Sequence, residues 1–291
     1  MAQDSPPPRA CDAHLHVIDG RFPGAGPSTG PTTGPTTGPT TGPTTGPTTG
    51  QSLAEYRAVQ QRLGLSRAVL VQAKHHGFDP ACLLDALAAL GGAGRGIAVA
   101  QPGISEAELA RLDAGGVRGL RFSLWNPADA PVSAAMLAPL AARIAPLGWH
   151  VQLHLMAEQI LDLAPLIEAL PCPVVFDHMA RLPPGQGAAH PAFARVARWM
   201  QAGRAWVKLS GAYLNTAEGP PYADAGRIAR AFIAEAPERL VWGSDWPHVT
   251  ERHKPDAAAL LALLADWAGA RRAARILCEN PAALYGFTGQ D

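Results

Sequence analysis

The sequence has no excess of charge of either sign, and only three of its 24 basic residues are lysines. The 24 basic and 24 acidic residues balance at pH 7, so no overall field would draw the protein to nucleic acid or to an anionic membrane surface. The sequence also lacks an apolar run of the roughly 20 residues that a membrane-spanning helix needs. It therefore gives no support to the nucleic-acid-binding or membrane-spanning classes of protein.

Cysteine is scarce as well. The four cysteines are scattered without a CxxC pair, at Cys11, Cys82, Cys172 and Cys278. This pattern argues against a disulfide framework and against a thiolate zinc site. The first ten residues are polar and rich in proline, unlike a secretory signal. We therefore expect reduced thiols and a cytoplasmic protein.

Residues 27–50 form a low-complexity segment in which PSTG is followed by five copies of PTTG. The segment contains no apolar residue to bury, and its prolines and glycines exclude helix and interior strand. We expect a disordered insertion in the loop after the first strand. It is either a lid over the mouth of the fold or a tolerated repeat expansion. The second is favoured because loop-closure entropy grows only slowly with loop length.

Outside this insertion, short apolar segments alternate with segments of helical period. Eight segments are typical of buried strands: 10–17, 68–73, 96–100, 119–124, 150–155, 173–177, 206–210 and 240–243. Eight others are typical of helices: 52–63, 80–90, 105–114, 134–147, 157–169, 190–202, 223–236 and 256–277. The alternation predicts an α/β fold, a (β/α)8 TIM barrel forming a single domain over residues 1–291, with a short tail after the eighth helix. A doubly wound open sheet is the alternative, but no Gly-rich phosphate-binding turn follows the first strand.

Seven of the ten histidines fall near the carboxyl ends of the predicted strands, where a barrel collects its catalytic groups. His14 and His16 are one residue apart in the first strand, so alternation places them on one face, together with Asp12. Asp245 follows the eighth strand, which a closed barrel brings beside the first. We therefore expect His14, His16 and Asp245 to be catalytic.

The other polar residues at the strand ends are candidates for catalysis, metal binding and substrate binding. His178, after the sixth strand, is expected to be catalytic. His154, in the fifth strand, suits metal binding and the lining of a pocket equally well. The expected substrate contacts are Arg121, Arg181, Lys74, Lys208, His76, Tyr213 and His248. Four of these are cations around one mouth of a neutral chain, which indicates an anionic small-molecule substrate.

The segments DAHLHV, VVFDHMAR, WVKLS and WGSDWPH resemble the amidohydrolase superfamily. They are most similar to the branch of 2-pyrone-4,6-dicarboxylate hydrolase, sulfomuconolactone hydrolase and galactarolactone isomerase. The resemblance implies a barrel with an HxH motif on strand one, histidines after strands five and six, and an aspartate after strand eight. The matching residues are His14, His16, His154, His178 and Asp245.

The same resemblance implies a hydrolase that opens a small anionic or polyhydroxylated lactone with water, in aromatic or sugar-acid catabolism. A lactone isomerase using a substrate hydroxyl, or a metal-dependent decarboxylase, is the alternative on the same barrel. A non-catalytic scaffold is disfavoured because both the HxH motif and the final aspartate are present. The sequence leaves the oligomeric state open.

Two mechanisms follow from the resemblance. In one, His14, His16, His154 and Asp245 hold one divalent metal, zinc by preference, which activates water. In the other, no metal is bound and Asp245 is the general base, while His14, His16 and His178 stabilise the oxyanion.

Two departures from the superfamily pattern argue against a two-metal site and against a dicarboxylate substrate. Many dinuclear members carry a carboxylated lysine at the end of strand four, but here that strand ends Arg121-Phe122-Ser123, which argues against a bridged pair of metals. Hydrolases of pyrone dicarboxylates carry a further arginine after strand seven. Segment 210–215 contains no cation here, so a second substrate carboxylate would have no partner.

Overall fold

A computed structural model describes residues 9–24, 51–251 and 254–288 of the chain. Within these ranges all eight predicted strands are present: β1 (Cys11–Leu15), β2 (Arg67–Val71), β3 (Gly94–Ala98), β4 (Val117–Ser123), β5 (His150–His154), β6 (Val174–Phe176), β7 (Ala205–Leu209) and β8 (Leu240–Trp242). They form one parallel sheet in the order of the sequence. The predicted insertion at 27–50 lies outside the described residues, as does His253.

Helices cover the outside of the strands and follow the predicted order. The α-helices are α1 (Leu53–Arg62), α2 (Ala81–Leu90), α3 (Glu106–Ala114), α4 (Leu137–Ile144), α5 (Ala157–Asp162), α6 (Ala164–Glu168), α7 (Pro191–Gln201), α8 (Ala223–Glu235), α9 (Ala257–Ala268), α10 (Ala270–Leu277) and α11 (Glu279–Tyr285). No helix of the described ranges is long and apolar enough to span a membrane. All four cysteines are free thiols.

Three helix predictions were wrong in detail. The single helix expected at 157–169 is divided between α5 and α6, where Pro165 occupies the first turn of α6 and cannot donate a helical hydrogen bond. The helix expected at 256–277 is divided at Gly269, whose φ of 71° ends α9. The expected short tail is α11, whose Tyr285 is fully buried.

The sheet closes into a barrel at a seam between β1 and the residues that follow β8. The backbone N–H of Asp245 donates to the carbonyl of His14, and the N–H of His16 donates to the carbonyl of Trp246, both at 2.8 Å. Gly243 makes this approach possible, because a Cβ there would lie 2.5 Å from the Cβ of His14. The predicted (β/α)8 barrel is therefore confirmed.

A β-bulge in β1 corrects one prediction about the site. Asp12 pairs with Ala68, and the next pair is Leu15 with Leu70. Between these pairs β1 therefore has one residue more than β2. The extra residue reverses the alternation, so Asp12 lies on the outer face whereas His14 and His16 face the interior. On that outer face Asp12 accepts a hydrogen bond from the hydroxyl of Tyr56 on α1, at 3.1 Å. The expectation that Asp12 shares the face of the histidines was wrong.

The amino-terminal end of the barrel is filled by the C-terminal segment. The centroid of the Phe287 ring lies close to two guanidinium groups, 4.9 Å from that of Arg67 and 4.5 Å from that of Arg95. Asn280 on α11 donates to the carbonyl of Leu240 at 2.7 Å. An apolar cluster fills the interior above it: Cys11, Ala13, Val69, Val71, Ile97, Val175, Trp206, Val241, Tyr285 and Phe287. This end is therefore packed, and polar side chains occupy the interior only towards the opposite end.

Candidate active site

Two histidines and a carboxylate meet at the seam. Oδ1 of Asp245 lies 3.4 Å from Nε2 of His14 and 3.6 Å from Nε2 of His16. His16 is oriented by a hydrogen bond between its Nδ1 and the carbonyl of Val71 at 2.8 Å, which leaves Nε2 directed at the carboxylate. The other oxygen of Asp245 accepts a hydrogen bond from the hydroxyl of Tyr213. The structure thus brings together the groups that the two ends of the sequence supply.

Burial controls the charges of this cluster. It raises the pKa of Asp245 to about 7, although the hydrogen bond from Tyr213 acts in the opposite direction. It also lowers the pKa of His16 to about 3 and holds that of His14 well below its usual range. Both imidazoles are therefore neutral at pH 7, while Asp245 exchanges its proton near that pH. A carboxyl group with such a pKa is suited to general base and acid chemistry.

Asp177, directly after β6, anchors the other side of His14. Its Oδ1 lies 3.2 Å from Nδ1 of His14, and its Oδ2 accepts hydrogen bonds from Arg121 at 3.2 Å and from Gln152 at 3.1 Å. Burial alone would raise the pKa of Asp177, but His14 and Lys208 hold it well below its usual range. Asp177 is therefore a buried anion that orients His14 and occupies Arg121.

Lys208 on β7 lies beneath this network. Its Nζ donates to the carbonyl of Ala13 at 2.9 Å and to Oε1 of Gln152 at 2.8 Å, and it lies 3.3 Å from Nδ1 of His14. The side chain is fully buried, and burial lowers the pKa of Lys208 to about 8. Direct contact with substrate, which we expected for Lys208, does not fit this position. The ammonium group instead holds site residues in place through hydrogen bonds inside the barrel.

His178 and His154 extend the cluster away from Asp245. The ring of His178 lies 4.8 Å from that of His14 and 4.9 Å from that of His154, and its Nδ1 is 3.0 Å from the hydroxyl of Ser210. His178 begins a run of four non-glycine residues with positive φ that ends at Arg181. Such conformations are unfavourable for L-residues and occur mainly where function requires them.

A metal ion would find three suitable donors at the seam. One donor atom from each of His14, His16 and Asp245 lies within 4.8 Å of the others, and all three residues are buried. Among the residues that the structure describes, Nε2 of His14 has no hydrogen-bond partner. Nδ1 of His14 faces a carboxylate and that of His16 faces a carbonyl, an arrangement typical of metal-binding histidines. This donor set therefore fits one divalent metal with an open position.

His154 lies apart from these three donors, although we expected it to be the fourth. Its Nδ1 is within 3.2 Å of the hydroxyl of Ser123 and within 3.4 Å of the guanidinium of Arg121. A second group of possible ligands consists of His14, Asp177 and His178 and likewise lacks His154. The contacts of His154 are those of a residue that lines the pocket.

Of the remaining residues predicted to contact substrate, Arg181 and His248 lie at the mouth of the site. Arg181 is half-buried at the rim, 5.5 Å above the ring of Trp125, and forms no ion pair with a described carboxylate. His248 packs against the ring of Tyr213 at 5.5 Å and directs Nε2 to the carbonyl of Ser244. The backbone N–H of His248 donates to the carbonyl of Asp245 at 2.8 Å. Burial lowers the pKa of Arg181, and the nearby Tyr213 and Asp245 act in the opposite direction, so Arg181 also lies close to the carboxylate.

Lys74 and His76 lie in a short turn, Lys74–His76, that follows β2. The ring of His76 is buried and lines a small cavity of about 10 Å³ with Val17 and Leu83, between the barrel and α2. Lys74 is exposed. The substrate contact predicted for His76 does not fit its place in the outer layer.

From the sequence, Asp177 and Gln152 are expected at strand ends, but we assigned neither a role in the site. Both lie on the interior faces of their strands, as the parallel register shows by pairing Arg121 with Gln152 and Gln152 with Val175. Alternation from Val175 places Asp177 on the same face. Alternation along the strands therefore predicts an interior position for both residues, but we assigned the function of the β6 end to His178, which follows Asp177.

Comparisons with known proteins identify the family of the chain. A family model described as amidohydrolase matches residues 11–287. The chain is 35% identical over 251 residues to 2-pyrone-4,6-dicarboxylate hydrolase of Comamonas testosteroni, covering 80% of each protein. It is 32% identical to 4-sulfomuconolactone hydrolase of Hydrogenophaga intermedia, covering 80% of this chain and 78% of that protein. It is 31% identical to D-galactarolactone isomerase of Agrobacterium fabrum, covering 79% of this chain and 80% of that protein.

The fold agrees with a solved structure as well. The crystal structure of an Agrobacterium tumefaciens protein in its apo form superposes with a TM-score of 0.84 at 27% identity, covering 98% of both chains. The predicted resemblance is therefore confirmed by sequence and by fold. The chain belongs to the amidohydrolase family.

Proposed function

We propose that this protein is a hydrolase that opens small anionic lactones by adding water. The observation that carries the proposal is the position of Asp245, buried against two neutral histidines, where its pKa is raised to about 7. Relatives that hydrolyse 2-pyrone-4,6-dicarboxylate and 4-sulfomuconolactone support the choice of a lactone. A cytoplasmic location remains a prediction.

In the proposed reaction Asp245 removes a proton from water as the water oxygen attacks the lactone carbonyl. The new C–O bond places negative charge on the former carbonyl oxygen, which the N–H group of His178 stabilises, whereas the N–H of His14 is directed at Asp177. This step requires the tautomer of His178 in which Nδ1 accepts a hydrogen bond from the hydroxyl of Ser210, 3.0 Å away, and Nε2 carries the proton. When the intermediate collapses, the ring C–O bond breaks and Asp245 returns its proton to the leaving oxygen.

The substrate carboxylate is bound by Arg181 in this proposal. Arg121 already donates to Asp177, whereas Arg181 has no carboxylate partner among the described residues. Because a guanidinium matches the geometry of a carboxylate, Arg181 orients the ring with its carbonyl towards His178. Tyr213, which bonds to Asp245, and His248, which packs on Tyr213, border the pocket beside the base.

We propose further that His14, His16 and Asp245 can hold one divalent metal, with zinc suited to this donor set. A bound ion would lower the pKa of a coordinated water and polarise the lactone carbonyl. His14 and His16 would be held as ligands by Asp177 and by the carbonyl of Val71.

The test is hydrolysis of a panel of small carboxylated lactones by the wild type and by Asp245→Asn. We expect the Asp245→Asn variant to lose at least about 1000-fold in kcat with an unchanged fold, because the amide cannot take a proton. The matched control is Asp224→Asn, since Asp224 is also buried but bonds to the loop around Thr216. Retention of wild-type turnover by the Asp245 variant would remove the proposed base.

Lactone isomerisation is the second candidate, and the relative D-galactarolactone isomerase favours keeping it. There a substrate hydroxyl replaces water as the nucleophile at the same residues. Reaction in ¹⁸O-labelled water separates the two, because only hydrolysis places solvent oxygen in the product. Decarboxylation, the third alternative, is not favoured by these relatives and would be detected as release of carbon dioxide.

A further inference from the structure

Trp125 is a large apolar side chain left exposed at the rim of the site. It follows β4, and 39% of its surface is accessible, whereas the site residues around it are mostly buried. Its backbone N–H donates to the carbonyl of His154 at 3.0 Å, which fixes it above the end of β5. Other apolar side chains are exposed to a similar extent, such as Leu147 at 39%, but Trp125 is the one that contacts the polar site residues. Its aromatic surface is therefore available to a ligand ring.

Two polar neighbours hold the indole ring in place. The ring of His154 lies 5.7 Å away at an interplanar angle of 31°, and the guanidinium of Arg181 lies 5.5 Å from the ring centroid. From His154 a continuous series of rings leads through His178 to His14, with centroids 4.9 and 4.8 Å apart. The exposed surface of Trp125 therefore lies at the outer end of the catalytic cluster and next to the cation at the rim.

We propose that Trp125 is a specificity-determining residue that selects flat, unsaturated monocarboxylated lactones over saturated ones. The proposal rests on the lactone chemistry proposed above and adds the class of ring. A flat ring with delocalised electrons stacks on the indole, while its single carboxylate binds Arg181. We take a single carboxylate because, among the described arginines that we expected to bind substrate, Arg121 pairs with Asp177 and Arg181 forms no ion pair. A puckered ring loses much of the stacking contact at the same carboxylate.

A pair of acids that are not substrates tests the selection without any turnover. Benzoate and cyclohexanecarboxylate have similar size and the same charge, but only benzoate is flat. We expect NMR titration to give about tenfold tighter binding of benzoate to the wild type, and about equal binding of the two acids to Trp125→Ala. Trp125→Phe should keep most of the preference, since it keeps an aromatic face.

Two control variants separate stacking from other effects. Val249→Ala removes another exposed apolar side chain, which follows β8, and should leave the benzoate preference unchanged. Arg181→Ala should weaken both acids by a similar factor because both carry the carboxylate. The proposal is overturned if the wild type shows no preference or no binding of benzoate, or if Trp125→Ala keeps the wild-type preference.

Kinetics connects this selection to catalysis. For a 2-pyrone carboxylate, Trp125→Ala should raise KM about tenfold with little change in kcat, whereas KM for the saturated six-membered lactone carboxylate should change less than about threefold. An equal rise for both lactones would make Trp125 a structural residue only. If the wild type hydrolyses neither lactone but prefers benzoate, the proposed reaction fails while the ring selection stands.

Discussion

At the scale of single residues, Asp245 lies between two neutral imidazoles, so its negative charge is poorly solvated. Its pKa is raised from an ordinary value of 3.8 to about 7, which means that the folded protein favours the protonated form. The stabilising effect of this preference is complete below the unfolded pKa and is lost as the pH rises through the folded one. Above about pH 7 the ionised Asp245 therefore destabilises the fold.

We predict that Asp245→Asn raises the thermal unfolding midpoint at pH 8 but has little effect near pH 4. The amide cannot ionise, so it avoids a cost of up to about 4 kcal/mol that a shift of about three pKa units implies. Unfolding followed by circular dichroism at both pH values, in the presence of a chelator, measures the difference. An effect of the same size at pH 4 and pH 8 would contradict the raised pKa.

Residue roles were predictable where alternation along a strand was regular. His14, His16 and Asp245 were found because a closed barrel must bring them together. Asp12 was misplaced because the bulge in β1 depends on register with β2, which a single sequence does not display. Lys208 looked like an available cation, but in fact its partners come from the interiors of β1 and β5.

At the scale of elements, the seam between β1 and β8 depends on a residue without a side chain. Gly243 follows β8 and faces β1 so closely that a Cβ would lie 2.7 Å from the backbone nitrogen of His14 as well. Separation of the strands would also move Asp245, because its N–H bonds to the carbonyl of His14. The same contact thus closes the barrel and sets the distance between base and histidine.

We predict that Gly243→Ala destabilises the protein by about 1–3 kcal/mol and lowers kcat, because the seam must widen to admit the methyl group. Gly103→Ala is the matched control, since a Cβ there meets nothing within 4 Å. Denaturant unfolding and lactone turnover measured on both variants provide the comparison. Equal stability and equal turnover of the two variants would show that the seam accommodates the methyl group without distortion.

Most elements were predictable because their signal is local. Apolar segments identified every strand, and α1 and α3 begin after Ser52 and Ser105, whose side chains accept N-terminal hydrogen bonds. The division at Gly269 was missed because the helical pattern continues on both sides of it. The helix α11 could not be predicted from the sequence, because its apolar residues are buried only by packing against the end of the barrel that they fill.

At the scale of the whole molecule, one end of the barrel carries the catalytic groups and the opposite end contributes mainly to stability. Polar site residues gather at the carboxyl ends of the strands, and the apolar plug with Phe287 closes the opposite end. The two ends share β1, in which Cys11 and Ala13 belong to the plug and His14 to the site, followed directly by His16. The interior between them carries the buried ion network around Asp177, whose partners come from several strands.

We therefore predict that Phe287→Ala destabilises the protein by about 3–5 kcal/mol while kcat/KM stays within about twofold at temperatures where it remains folded. The ring fills the closed end, and its loss also leaves the guanidinium groups of Arg67 and Arg95 without their aromatic neighbour. Asp245→Asn is the opposite case, with activity lost and stability at pH 8 gained. Chemical denaturation and steady-state kinetics on both variants measure the two quantities separately. A large loss of kcat/KM in the folded Phe287 variant would mean that the plug, through β1, also determines the geometry of the site.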